Sequence, residues 1–205
     1  MTADTTYAML AVLSGIMIVD TRARRVLAGY VAIAVVTTVM TYSGASATPS
    51  GFILFGVATV LKVVLAPIGI LWFLRLNPEA EDLRASAPLP VRVLVVIALV
   101  VLSRAAYALP GLSGLPLQSI VAFVTLCGIA MLILHRNVLA DLLGLLLFGA
   151  GITLEGALIA PQLSAAVELG AAFDVLVTTF IGLALLRTLH QRGLLDVDYL
   201  RNLRG

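Results

Sequence analysis

Charge is what this sequence has least of. Only 12% of its 205 residues are Asp, Glu, Lys or Arg, where soluble domains carry about a quarter. The longest polar stretch, roughly 75–88, is too short for a separate water-soluble domain. The net charge of +2 excludes the broad basic footprint that nucleic acid requires. Cysteine is nearly missing as well. Cys127 stands alone in an apolar run, so it forms no internal disulfide, and no metal-ligand spacing surrounds it. There is no Ser/His/Asp set, no CxxC, no Gly-rich phosphate loop and no HExxH. His135 and His190 fall at helix boundaries and read as interfacial polar residues, because the companion ligands of a metal site are missing. The opening Met-Thr-Ala-Asp-Thr lacks the basic region of a cleaved signal peptide, so the first apolar run is expected to be kept.

What remains is apolar. Hydrophobic residues make up 61% of the chain and the mean hydropathy is +1.11. The expected fold is an all-α integral membrane protein. A spanning helix needs roughly 20 mainly apolar residues. Seven candidates lie at about 4–20, 26–43, 51–74, 90–109, 117–134, 137–160 and 164–187. The first is the shortest. Gly- and Pro-rich breaks separate them, among them SGASATPSG, PGLSGLP and APQ.

The arginines set an expected topology. Arg22, Arg24 and Arg25 follow the first run. Arg75, Arg84 and Arg92 flank the break between the third and fourth, and Arg136 lies between the fifth and sixth. Arg187, Arg192, Arg201 and Arg204 follow the seventh. The opposite segments, 43–51, 110–116 and 161–163, hold no Lys or Arg. With seven spans every loop arginine falls on one side. The positive-inside rule then places the N-terminus outside and the C-terminus in the cytoplasm.

Ionisable residues inside the runs are the candidate functional residues, because such groups are costly at membrane depth unless paired, protonated or wetted. They are Lys62, Arg104, Asp141, Glu155, Glu168 and Asp174. At about 1.5 Å rise per residue, Lys62 and Asp174 fall in the middle layer. Arg104, Glu155 and Glu168 fall in an outer layer, and Asp141 near the inner surface. Matched depth makes Lys62 and Asp174 the expected pair, with Asp174 as the centre of an ion path. Such a pair serves either proton transfer or static bonding between helices. Asp141 also suits the first turn of a helix, where the dipole favours an acid. Asp141 and Glu155 are fourteen residues apart and share a helix face, as do Asp174 and Thr178. Glu168 and Asp174, six apart, do not. The glycines Gly144, Gly149, Gly151 and Gly156 mark close helix packing, or else a π-bulge or break at Gly149-Ala150-Gly151. The tail after residue 190 mixes leucines with charges. It reads as a solvated end, an interfacial segment or a docking tail.

The runs RNVLADLLGLLL, GITL, VELGAAFDVLV and IGLALLRTLHQRGLLDVDYLRNLRG resemble the hydrogenase 4 component E family. That family supplies membrane subunits of group 4 nickel–iron hydrogenase and formate hydrogenlyase complexes, and its C-terminal half is similar to the K subunit of respiratory complex I. The resemblance covers about 117–205. It implies three parts: helices one to four in 1–116, a K-subunit-like three-helix unit in 117–190, and a cytoplasmic tail in 191–205. The implied role is a non-catalytic membrane-arm subunit in a bacterial or archaeal inner membrane. It would contribute to proton or sodium translocation coupled to redox chemistry elsewhere. Antiporter-like subunits and a quinone-site-like subunit are the implied partners. Nickel–iron, iron–sulfur or flavin centres would belong to partners, with no cofactor in this chain. A structural scaffold and a stand-alone ion transporter are the alternatives. Glu168 and Asp174 match the family's pattern. Gly149-Ala150 stands where component E has Glu-Asn, and Thr178 where the K subunit has an acid. The path would therefore be rerouted, weakened or lost.

Overall fold

In the computed structural model, residues 3–42, 49–107, 116–159 and 164–191 are described. Among them the chain is helical and carries no strand. The helices are α1 (Ala3–Val19), α2 (Ala23–Tyr42), α3 (Pro49–Thr59), α4 (Ala66–Leu76), α5 (Leu89–Tyr107), α6 (Pro116–Leu134), α7 (Val138–Ile159) and α8 (Ser164–Gln191). A π-helical segment, Val60–Leu65, joins α3 to α4, so 49–76 is one continuous rod. Each expected run therefore matches one rod, with ends within a few residues. The segments 43–48, 108–115 and 160–163, and the tail from 192, lie outside the described residues.

Four helical stretches are long and apolar enough to cross a membrane: Ala23–Tyr42, Phe55–Leu76, Val138–Ala157 and Ala166–Thr188. Thr5–Val19 and Ser119–Leu134 are apolar but shorter. The surface points the same way. Trp72, Ile133 and Phe180 are exposed, while Lys62 and Glu168 are fully buried. A water-soluble fold shows the reverse arrangement.

α1 and α2 form the middle of one row and α6, α7 and α8 form another. α1 packs on α6, and α2 on α7. α5 closes one end against α1 and α6, and the rod 49–76 closes the other against α8 and α2. The closest seam is α6 on α7, and glycine makes it possible. A Cβ built on Gly128 would lie 2.6 Å from the Phe148 nitrogen, and one on Gly144 would lie 3.1 Å from the Gly128 carbonyl. One on Gly151 would collide with Thr125. Gly144 and Gly151 of α7 thus serve close packing. α7 stays α-helical through Gly149-Ala150-Gly151, so the bulge considered there is absent.

The π-turn sits in the rod 49–76 instead, and a proline accounts for it. Pro67 lacks an N–H, and in a regular α-helix its ring would meet the carbonyl of Val63. Widening the turn before it relieves that clash. The Ala66 N–H bonds Leu61 O, five residues back, which is the π pattern.

Three connections meet at one end of the bundle. Leu83 N donates to Thr21 O at 2.8 Å, Ser86 N to Leu134 O at 2.8 Å, and Arg136 N to Arg84 O at 3.1 Å. Asn137 caps α7 through Oδ1, which accepts from Leu139 N at 2.9 Å, and its Nδ2 donates to Asp82 O at 3.1 Å. Arg92 reaches the last carbonyls of α1 through Nη1 on Val19 O. His135 is buried in this knot, 4% exposed. The expectation of an interfacial His135 is thereby corrected: the packed loops exclude solvent from a residue that a helix boundary alone would leave wet.

Candidate functional site

The site begins with α8. Its buried face carries Glu168, Ala172, Val175 and Thr179, a helical stripe directed at α2 and the rod 49–76. Glu168 is in its second turn. Lys62 lies on the π-segment across from it. Lys62 Nζ stands 3.3 Å from Glu168 Oε1, and the two side chains are 1% and 0% exposed. Thr38 of α2 donates its Oγ1 to the same oxygen at 3.4 Å. Three elements therefore converge on one carboxylate oxygen.

The other oxygen is different. Glu168 Oε2 is buried and has no hydrogen-bond partner among the described residues. Tyr30 of α2, 0% exposed, also has an unpartnered hydroxyl, and it lies within the field of the Glu168 charge. Buried polar atoms are nearly always paired, so these two unpartnered oxygens stand out. A Lys–Glu pair in low dielectric exists either as two charges or, after one proton moves, as two neutral groups.

The expected pairing of Lys62 with Asp174 is corrected. Two features override the depth estimate. Glu168 and Asp174 point to different faces of α8, and only the Glu168 face meets the rod 49–76. Lys62 also has a long side chain, which leans toward the N-terminus of its own helix. That rod and α8 both start at the end opposite the loop knot, so this lean carries the ammonium toward Glu168.

The remaining candidates do not join the pair. Asp174 is exposed beside the seam between α8 and α7, one carboxylate oxygen 3.9 Å from where a Gly149 Cβ would be. Thr178 lines the same groove, as the shared face predicts. Glu155 is exposed and Asp141 half-buried on the outward face of α7. The Arg104 guanidinium lies 4.0 Å from the ring centroid of Tyr7, on the α1 side of the bundle. Tyr30, Thr38 and the π-turn escaped the sequence reading. Polar residues at i and i+8 within an apolar run, and a proline five residues after a mid-helix lysine, were the available signals. Among the described residues no three His, Cys, Asp or Glu side chains group as metal ligands.

Comparison with known proteins finds no matching family model, no matching curated protein and no matching solved structure.

Proposed function

We propose that this chain is a seven-span membrane subunit that passes protons or sodium ions through its Lys62–Glu168 pair, with the N-terminus outside and the loop knot on the cytoplasmic side. The component E resemblance gives it a setting. It would be a non-catalytic member of a complex I-like or group 4 hydrogenase-like assembly in an inner membrane, beside antiporter-like and quinone-site-like subunits that hold the redox centres. The observation that carries the reading is the fully buried pair with one unsatisfied carboxylate oxygen. Ionisable residues within spanning helices favour ion pathways, and π-turns recur at functional positions. The centre of the path thereby moves from Asp174 to Glu168.

The second reading is a structural scaffold in which the pair only holds α8 to the rod 49–76. A double substitution separates the two. Replacing a buried ion pair by packed apolar residues is often neutral for stability, so Lys62→Met/Glu168→Leu should fold and assemble. Dye-reported proton uptake by vesicles containing the whole complex should then be lost while redox turnover continues. Full pumping by that variant would establish the scaffold and refute the ion path.

A further inference from the structure

The face formed by α7 and α8 takes no part in the pair. A groove of about 520 Å³ runs between these helices on the outside of the bundle. Gly149, Gly156 and Gly170 line it, and nothing lies within 4 Å of a Cβ built on Gly170. The surface around it suits lipid: Phe173, Val177, Phe180 and Ile181 are 57%, 53%, 77% and 60% exposed. Asp174 is the exception. It is exposed at the groove, about 15 Å along α8 from its start, and among the described residues neither Lys nor Arg lines the groove with it. A carboxylate facing acyl chains at that depth is costly, and pairing with a cation is the common relief.

We infer that the α7–α8 groove seats a membrane-spanning helix of a different chain, one carrying a Lys or Arg level with Asp174. Charge complementarity selects the cation. The glycine lining selects a helix as the occupant, because small residues let two backbones approach closely. A second copy paired about a two-fold axis fits poorly. A symmetric contact sets each patch against itself, so Asp174 would meet its own copy. The inference shares with the proposed function only the premise that the helices lie in a bilayer, and it names a docking surface rather than an ion path.

The test uses the full-length chain in phosphatidylcholine vesicles. The probe is a synthetic Leu/Ala spanning peptide of about 23 residues, with a fluorescence acceptor and a central Lys. Association is read by energy transfer from Trp72, the one tryptophan of the chain. The Lys peptide should associate roughly fivefold more tightly than the same peptide with a central Leu, within the range of polar helix–helix contacts in membranes. Asp174→Asn should abolish that preference. Gly170→Leu, whose Cβ enters open space at the groove, should weaken binding of both peptides. Gly56→Leu, equally open but away from the groove, should change nothing. Lys62→Met/Glu168→Leu, which removes the buried pair together, should keep the preference, which separates this idea from the ion path. Equal binding of the two peptides, or a preference that survives Asp174→Asn, overturns the proposal. So does self-association of the chain that competes the Lys peptide away and is itself lost in Asp174→Asn, since the occupant would then be a second copy.

Discussion

Lys62 Nζ lies 3.3 Å from Glu168 Oε1, and neither side chain reaches solvent. The two residues are 106 positions apart in sequence. Each is the other's counter-charge, and Thr38 donates to the same carboxylate oxygen, so the two substitutions should not be additive. Lys62→Met or Glu168→Gln alone leaves an uncompensated polar or charged group in the bundle and should cost about 3–5 kcal/mol. The double variant Lys62→Met/Glu168→Leu should lie within about 1 kcal/mol of the parent. Unfolding in detergent, read as a double-mutant cycle, checks this. Additive losses would mean that the two groups do not interact.

The α6–α7 seam predicts opposite effects for two glycine-to-alanine changes. At Gly128 the new methyl would meet the Phe148 backbone at 2.6–2.8 Å, atoms of a packed helix that yield little. Gly128→Ala should destabilise by about 1–3 kcal/mol. Gly56 has open space around it, so Gly56→Ala should stabilise by about 0.5–1 kcal/mol through helix propensity. Melting temperatures of the two variants should move in opposite directions.

Asn137 does two jobs at the loop knot, and two substitutions separate them. Asn137→Ala loses both the cap on Leu139 N and the bond to Asp82 O, and should cost about 1–3 kcal/mol. Asn137→Asp keeps an acceptor for the cap but has no N–H for the Asp82 carbonyl. It should fall between the parent and the alanine variant in thermal unfolding. An aspartate variant as unstable as the alanine variant would place the whole effect in the bond to Asp82.

His135 makes stability depend on pH. Burial is the largest cause that holds its imidazole below the ordinary value of 6.5, and the nearby charge of Arg92 acts in the same direction. Backbone contacts to Met131 and Asp20 oppose this in part. The folded state therefore binds this proton less readily than the unfolded chain. Its contribution to stability is complete above pH 6.5 and declines as the pH falls through the lowered folded value. His135→Asn keeps a donor near the Met131 carbonyl and does not titrate. Unfolding between pH 7.5 and pH 5, about the histidine range, should show a smaller decline for His135→Asn than for the parent. Equal slopes would assign the decline to other groups.

The sequence by itself determined where the helices are. Run length and Gly/Pro breaks are local properties, and α1 to α8 follow them within a few residues, the rod 49–76 included. It also separated the faces within one helix: Glu168 from Asp174, and Asp174 together with Thr178. Which faces meet was decided only by the tertiary structure. The reason lies in the apolar environment. Helices such as α3, α7 and α8 are hydrophobic on nearly all sides, so no polar stripe announces which side is inward. Depth alone paired Lys62 with Asp174, whereas packing of α8 on the rod 49–76 turned Glu168 inward and left Asp174 on the outer groove. The Lys62–Glu168 contact, the orphaned Glu168 oxygen and the burial of His135 depend on contacts between segments far apart in the chain. No local pattern of residues encodes such contacts.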